Sequence, residues 1–207
     1  MEPMWLAYGK RLQAIAATGI HYTRDPFDRE RFEEIEAIAN EMLAILAEVP
    51  IERIRGLISH HARGYPTPKV DVRGALVEDG AVLLVQEKSD GRWTLPGGFA
   101  DIGLSAARNV EKEVLEEAGV TVCAASLYAV RHKAGAGYPP DVRDFYKMFF
   151  LCNRLERTRP QAGAETMDAR FFRLGDLPPL SLERTLESDI AAAFAYSADP
   201  QRPAWFD

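Results

Sequence analysis

Residues 95–120 read LPGGFADIGLSAARNVEKEVLEEAGV, and this stretch decides the fold of the domain that contains it. The glycine pair Gly97 and Gly98 comes first, and the spacing after it predicts a helix. Ser105 is the expected N-cap, and Gly119 is the residue expected to end the helix. Apolar residues recur every three or four positions and give this helix one buried stripe. They are Ala107, Val110, Val114 and Ala118.

Three acidic residues of the predicted helix, Glu113, Glu116 and Glu117, are spaced so that they share one face beside the apolar stripe. Like charges at this spacing destabilise a helix by roughly 0.2–0.5 kcal/mol per pair. Clustered carboxylates suit a hard divalent cation such as Mg²⁺ or Mn²⁺. A solvated acidic face is the alternative, because runs of charge usually face water. The position beside the apolar stripe favours a cleft at the rim of the core.

The same stretch resembles the signature of the Nudix hydrolases, which cleave nucleoside diphosphates linked to another group. The family pattern is a glycine, five residues, Glu, seven residues, and then Arg-Glu-apolar-x-Glu-Glu-x-Gly-apolar. Counted from Gly98, the chain departs from the pattern at Leu104, which replaces Glu, and at Lys112, which replaces Arg. The matching positions are Glu113, Val114, Glu116, Glu117, Gly119 and Val120.

The two departures concern a pair that, in the family, holds the loop to the helix. The resemblance implies that the acidic partner is missing here, while Lys112 keeps the charge without the forked geometry of arginine. Packing by Leu104 is the expected substitute, since exchanging an ion pair for apolar contact is often neutral in stability. Because the three glutamates are intact, we expect an active enzyme. A protein that binds a nucleotide without cleaving it is the alternative.

The resemblance also implies roles for individual residues. Glu116 has two expected roles, as a metal ligand and in positioning the attacking water. The general base is expected in the loop at residues 163–168, where Glu165 is the first choice and Asp168 the reserve. Either carboxylate could instead be an ordinary loop residue. The expected ligands of Mg²⁺, or alternatively Mn²⁺, are the Gly97 carbonyl, Glu113, Glu116 and Glu117.

Several residues outside the signature are candidate contacts to the substrate. The cationic candidates could donate to a phosphate, and a structural ion pair is the equal alternative. The aromatic candidates could stack on a base, although aromatic residues in strands usually belong to the core. The candidates are Arg73, Lys88, Trp93, Arg131 and Tyr146.

The N-terminal region has the periodicity of helices. One helix is expected to end near Gly19, and Asp25 precedes a proline in the manner of an N-cap before a second helix. A third, shorter helix after Pro50 would include Ile51, Ile54, Leu57 and Ile58.

The segment GYPTP at residues 64–68 is a stiff break between two regions. We therefore expect a helical domain over residues 1–64 and a Nudix domain over residues 68–207. Short helices alone bury little core, so the first domain should pack on its neighbour or on a second copy. Trp5 and Tyr8 are candidate dimer contacts, with packing inside the monomer as the alternative.

In the second region, short apolar segments alternate with turns. Residues 78–80 are a hairpin signal, and residues 122–130 predict one or two strands. Residues 178–181 introduce a final helix that should run to about Ala195. This order predicts the α/β class, with a mixed sheet between helices. With the resemblance, it indicates a Nudix α/β/α sandwich preceded by a small all-helical domain.

The composition, with 47% hydrophobic and 27% charged residues over 207 positions, is that of a globular protein. A formal net charge of −6 argues against a broad surface for nucleic acid. Cys123 and Cys152 form neither a metal motif nor a disulfide framework. No apolar run reaches the roughly 18–20 residues of a membrane span, and Glu2, Lys10 and Arg11 interrupt any signal-peptide core. These features predict a cytoplasmic protein.

The resemblance extends over nearly the whole chain and indicates one Nudix subfamily, through residues 69–74, 87–96 and 145–147. Its members act on X-linked nucleoside diphosphates, typically ADP-ribose and CDP-choline, and are typically dimers. The resemblance thus implies metal-dependent hydrolysis of a pyrophosphate bond, giving a nucleoside monophosphate and a phosphorylated remainder. The alternatives are a nucleotide or ADP-ribose sensor, or a hydrolase of nucleoside triphosphates or RNA 5′ ends. The acidic balance argues against RNA.

Overall fold

The structure, a computed structural model, describes residues 3–46, 48, 50–52, 54 and 65–207. The chain forms two compact units. The first comprises Met1–Lys69 and Pro139–Phe145, and the second comprises Val70–Tyr138 and Tyr146–Asp207. The segment Pro139–Phe145, which the sequence assigned to the Nudix domain, is therefore part of the first compact unit. The domain boundary at residues 64–68 stays a prediction.

The first unit contains helices α1 (Met4–Tyr22) and α2 (Pro26–Leu46). The predicted cap of α2 is confirmed, because Oδ1 of Asp25 accepts hydrogen bonds from the backbone N–H groups of Phe27 (2.8 Å) and Asp28 (3.1 Å). Helix α1 continues three residues past the expected end at Gly19. A small buried cluster comprises Leu6, Leu43, Ala44 and Ile54.

The third predicted helix is described only in part. Ile51, Glu52 and Ile54 are helical, whereas Leu57 and Ile58 lie outside the described residues. Within the described ranges, no helix combines the length and the apolar character needed to cross a membrane.

The second unit is built on a mixed sheet with the order β3-β2-β1-β5-β4-β7, in which β6 also pairs with β2. Strand β2 is antiparallel to β6, and β4 is antiparallel to β5 but parallel to β7. The strands are β1 (Lys69–Glu78), β2 (Ala81–Glu87), β3 (Trp93–Thr94), β4 (Val122–His132), β5 (Phe145–Arg154), β6 (Thr166–Arg173) and β7 (Trp205–Phe206). Helix α3 (Ala106–Ala118) follows β3, and a 3₁₀ turn (Leu174–Asp176) and helix α4 (Glu187–Ala198) follow β6.

Alternate residues of β2 face two different core clusters, as expected for a strand buried on both sides. Leu83 and Val85 pack with residues of α3, including Val110 and Val114. Val82 and Leu84 lie in the other cluster, which contains Ile190 and Ala193 of α4. Helices therefore cover both faces of the sheet, and the predicted α/β/α sandwich is confirmed.

The start of the last helix was predicted wrongly. Helix α4 begins at Glu187 and not directly after residues 178–181. Before it, the hydroxyl of Thr185 accepts a hydrogen bond from the N–H of Leu95 (3.2 Å) and pairs with the hydroxyl of Thr94 (2.8 Å). These contacts fix the segment before α4 against β3, so the helix begins only where the chain leaves them. Strands β3 and β7, of two residues each, are not among the strands predicted from the sequence.

Candidate active site

Helix α3 carries the glutamates of the signature and has the limits that the sequence predicts. The hydroxyl of Ser105 accepts a hydrogen bond from the N–H of Arg108 (3.2 Å), which is the predicted N-cap. Gly119 has a left-handed φ of 65° and donates to the carbonyl of Leu115 (2.9 Å). Val110, Val114 and Ala118 of the apolar stripe are buried, whereas Ala107 is half-buried. The buried part of the stripe fixes the position of the acidic side chains at the rim of the core.

The glycine loop before α3 lies along β1. Val72 N–H donates to the carbonyl of Gly98 (2.8 Å), and Gly74 N–H donates to the carbonyl of Pro96 (2.9 Å). Gly97 has a φ of 147°, and a Cβ built there would lie only 2.0 Å from the carbonyl oxygen of Val72. A side chain at this position is excluded by backbone, so glycine is required for the close approach.

Glu117 is the most enclosed carboxylate of α3, with a residue exposure of 6%. Its Oε2 accepts a hydrogen bond from the N–H of Gly97 (2.9 Å), which joins the helix to the glycine loop. Burial raises the pKa of Glu117 to about 8, and Glu87 and Glu113 add to the rise while Arg73 and the Gly97 N–H oppose it. A cation bound beside this carboxylate would stabilise its ionised form.

Glu113 and Glu116 point to different surroundings. The carboxylate of Glu113 lies against the glycine loop, since a Cβ built on Gly98 would be 3.0 Å from its Oε1, and burial raises its pKa. Glu116 is exposed, and its Oε2 lies 3.1 Å from Nζ of Lys112. The structure thus brings Glu113 and Glu117 to the loop and leaves Glu116 turned toward Lys112.

The donor chemistry fits a hard divalent cation at Glu113 and Glu117. Both are carboxylates next to a backbone loop, and both are shielded enough from water for a cation to gain from their charge. Within the part of the chain that the structure describes, no three side chains of His, Cys, Asp or Glu form a ready-made metal-binding group. Glu116 would have to leave Lys112 to join the other two.

The expectation that Lys112 lacks an acidic partner in the loop is wrong. Its Nζ donates to Oδ2 of Asp101 (2.9 Å), which lies in the loop that the family pair is expected to hold. The packing expected of Leu104 is not observed either, because Leu104 is 45% exposed and belongs to neither core cluster of the sandwich. Asp101 lies outside the positions that the family pattern specifies, so the pattern gave no signal for this partner of Lys112.

Arg73 belongs to a buried ion cluster behind the glutamates. Asp71 accepts from Nε (2.9 Å) and Nη2 (2.8 Å) of Arg73 and from Nζ of Lys147 (2.8 Å). Burial alone would raise the pKa of Asp71, but the two cations outweigh it and lower the pKa to about 2. Burial lowers the pKa of Lys147 to about 8 against the pull of Asp71. This geometry favours the structural ion pair for Arg73, whose positive charge also acts on Glu117.

The loop expected to carry the general base is fixed to the end of α3. The hydroxyl of Thr166 donates to the backbone carbonyl of Glu117 (2.7 Å), and Gly163 N–H donates to the same oxygen (3.2 Å). Glu165 is exposed in this loop, and its carbonyl accepts from the N–H of Lys88 (3.2 Å). The structure thus brings Glu165 and Lys88 together beside the helix that carries Glu117.

Two of the candidate substrate contacts, Arg131 and Trp93, are engaged by side chains of the fold. Arg131 donates to Oδ1 of Asp189 (2.9 Å), and its guanidinium lies 4.1 Å from the ring centroid of Trp205. Trp93 is buried with its ring edge-on to Phe172 at a centroid distance of 4.7 Å. For both residues the geometry favours the structural alternative.

The two remaining candidates, Tyr146 and Asp168, differ in their contacts with neighbouring residues. Tyr146 is half exposed and its ring meets the ring of His132 edge-on at 6.0 Å. Asp168 forms an ion pair with Arg170 and accepts from the N–H of Ala169 (2.8 Å). Asp168 is therefore a poorer candidate for the base than Glu165.

Glu87 is a buried acidic residue that the sequence analysis did not select. It ends β2, pairs with Thr166 across the strands, and lies 3.3 Å from Nε of Arg184. Burial raises its pKa, and its charge contributes to the raised pKa of Glu117. The available signal was a carboxylate at the end of an apolar strand, directly before Lys88.

The fold and this arrangement define a class. A mixed sheet between helices, with a glycine loop joined to buried glutamates on the following helix, is the arrangement expected of Nudix pyrophosphohydrolases. The NUDIX domain model matches residues 66–194, and a model described as UDP-X-like, N-terminal oligomerisation domain, matches residues 3–58. The chain belongs to the Nudix family and is a Nudix pyrophosphohydrolase.

Relatives and solved structures extend this likeness over the whole chain. A Bacillus subtilis (strain 168) protein with the name "Putative ADP-ribose pyrophosphatase YjhB" is 40% identical over 207 residues, covering 100% of this chain and 99% of the relative. The crystal structure of a UDP-X diphosphatase is 32% identical, with 98% of each chain covered and a TM-score of 0.63. That of an ADP-ribose pyrophosphatase from Streptococcus suis 89-1591 is 38% identical, with 68% of this chain and 100% of the other covered and a TM-score of 0.62.

Proposed function

We propose that this protein hydrolyses the pyrophosphate bond of a nucleoside diphosphate linked to another moiety, with ADP-ribose as the first candidate and CDP-choline as the second. The products are a nucleoside monophosphate and a phosphorylated remainder. One observation carries the proposal: the buried carboxylate of Glu117 accepts a hydrogen bond from the N–H of Gly97 in the glycine loop. The names of the relatives support ADP-ribose.

The proposal includes a divalent cation, Mg²⁺ first and Mn²⁺ as the alternative. Glu113 and Glu117 would hold it, with the Gly97 carbonyl and Glu116 completing the set. When bound, such an ion neutralises phosphate charge and lowers the pKa of its bound water. The raised pKa of Glu117, caused mainly by burial, supports the assignment because the carboxylate gains most when a cation offsets its charge.

The remaining roles are proposed for two residues beside the end of α3 and for one residue on β5. Glu165 is proposed to take the proton of the attacking water, since its loop is fixed to Glu117 by Thr166. The ammonium group of Lys88 donates to the carbonyl of Ala164 (2.5 Å), next to Glu165, and would also donate to a phosphate oxygen of a bound substrate. Tyr146, being half exposed, is the aromatic residue proposed to contact the base.

The helical domain over residues 1–64 is proposed to form a homodimer. Helix α1 exposes apolar side chains at intervals of three and four residues, which places them on one face. They are Trp5, Tyr8, Leu12 and Ile15. The description of the matching model as an oligomerisation domain supports the proposal. We further propose that residues 68–207 form the Nudix domain and that the protein is cytoplasmic.

The test is to incubate the protein with Mg²⁺ and ADP-ribose, CDP-choline, NADH and several nucleoside triphosphates, and to quantify the products. We expect rapid cleavage of one linked diphosphate, which EDTA abolishes. Glu117→Gln should lower kcat by about 10²-fold or more, because a ligand and a charge are lost. Glu183→Gln, at an exposed glutamate, is the matched control and should retain full activity. Absence of cleavage across the panel would contradict the proposal.

The alternative of a non-catalytic sensor depended on the missing partner of Lys112. Because Asp101 supplies a carboxylate to Lys112, that departure no longer implies a detached loop. Triphosphates in the substrate panel test the remaining alternative within the same chemistry, and a capped RNA oligonucleotide can be added to it.

A further inference from the structure

Lys112 joins the signature loop to the signature helix through two carboxylates. Its Nζ lies 2.9 Å from Oδ2 of Asp101 and 3.1 Å from Oε2 of Glu116. Asp101 belongs to the loop and Glu116 to the helix face that carries the other glutamates. The ammonium group therefore connects the conformation of the loop to the orientation of Glu116.

The backbone at Asp101 is fixed independently of its carboxylate. The N–H of Asp101 donates to Oδ1 of Asn109 (2.8 Å). The two N–H groups on Nδ2 of Asn109 are shared among the carbonyls of Asp101 (3.3 Å), Leu104 (3.4 Å) and Ser105 (3.2 Å). Asn109 is itself buried. The amide thus clamps the loop on the first turns of α3, and the Asp101 side chain is presented to Lys112 from a defined position.

We propose that Asp101 is a positioning residue that takes the place of the glutamate for which this chain has Leu104. Leu104 is 45% exposed and carries no charge, so the acidic anchor has moved three residues toward the glycine pair. Acting through Lys112, Asp101 sets the orientation of Glu116. This inference rests on the proposed function, in which Glu116 serves the reaction.

The physical reason is competition for one ammonium group. With Asp101 present, Lys112 pairs with both Asp101 and Glu116. Glu116 can then turn to a cation while Lys112 keeps one carboxylate partner. Without the Asp101 carboxylate, Lys112 pairs with Glu116 alone and holds it away from the site. The ion pair itself is exposed, with side-chain exposures of 39% for Lys112 and 57% for Asp101, and exposed pairs contribute little to stability. The effect should therefore be on function and not on folding.

The test compares Asp101→Asn, Leu104→Glu and the double variant carrying both changes, using ADP-ribose hydrolysis and substrate-free titration with Mn²⁺ followed by electron paramagnetic resonance. Asp101→Asn should lower kcat and weaken Mn²⁺ binding, each by about ten-fold, as for other residues that orient a metal ligand. The KM and the melting temperature should stay near those of the wild type. In the double variant, Leu104→Glu should restore most of both losses.

Asp79→Asn is the matched control, because Asp79 lies in the β1–β2 turn with a φ of 49°, a conformation that asparagine tolerates. If the wild type cleaves the substrate and Asp101→Asn behaves like Asp79→Asn, the inference is overturned. The inference is also overturned if Asp101→Asn loses kcat and the double variant does not regain it, provided that Leu104→Glu alone is active. A wild type that cleaves none of the substrates contradicts the proposed function instead, while the Mn²⁺ titration still tests the effect of Asp101 on the site.

Discussion

Asp71 is a single buried carboxylate that serves two buried cations. Asp71→Asn would leave Arg73 and Lys147 without their counter-charge in the interior, where breaking an ion pair costs about 3–5 kcal/mol. We expect the free energy of unfolding to fall by that amount, measured by urea denaturation at pH 7. Asp79→Asn, in an exposed turn, should change it little, and equal effects of the two substitutions would contradict this interpretation.

The same residue predicts an acid limit to stability. The cations lower the folded-state pKa of Asp71 to about 2, below the 3.8 that is ordinary for an aspartate side chain. A depressed carboxyl pKa contributes stability above the unfolded value that is lost as the pH falls toward the folded value. The free energy of unfolding of the wild type should therefore decline between about pH 4 and pH 2. In Asp71→Asn this part of the decline should be absent from denaturation curves measured across the same interval.

At the scale of the element, helix α3 depends on its first turn. Ser105→Ala removes the hydroxyl that accepts from the Arg108 N–H, and loss of such a cap typically costs about 1 kcal/mol. We expect thermal and urea unfolding to show that loss. Ser197→Ala, in the last turn of α4, removes an exposed hydroxyl without removing an N-cap and serves as the control. A Ser105→Ala variant as stable as the control would show that the loop clamp by Asn109 suffices to hold the helix start.

The elements differ in how far the sequence predicted them, for physical reasons. The limits of α3 follow from local signals, since Ser105 and Gly119 act on the backbone next to them. The start of α4 depends on Thr185, which forms hydrogen bonds to Thr94 at the end of β3 and to Leu95 directly after it, about ninety positions away in the chain. Strand β7 is too short for a periodic signal and exists through its pairing with β4.

The candidate site shows the same division. The glycine loop and the glutamates on α3 follow from the spacing of the signature. The partner of Lys112 does not, because the bend of the loop at Asp101 is set by the amide of Asn109 and not by distance along the chain. The position of Arg131 on a strand did not show whether it binds a substrate or a structural carboxylate. Its partner is Asp189 of α4, which is distant in the sequence.

At the scale of the whole molecule, the exposed stripe of α1 bears on assembly. Trp5 is 60% exposed in a helical unit whose described buried cluster is small, and small units gain stability by covering apolar surface. We expect the wild type to sediment as a dimer at micromolar concentration and Trp5→Glu to sediment as a monomer. Phe27→Glu, at an equally exposed aromatic residue on α2, is the matched control and should remain a dimer.

The monomeric variant also separates assembly from catalysis. Every residue proposed for the reaction lies in the unit formed by Val70–Tyr138 and Tyr146–Asp207. Dissociation should therefore lower the melting temperature, because the apolar face of α1 becomes exposed to water. Below that temperature, kcat for ADP-ribose should stay close to the wild-type value. A monomeric wild type would contradict the dimer, and a monomeric Trp5→Glu with strongly reduced kcat would show that the second copy completes the site.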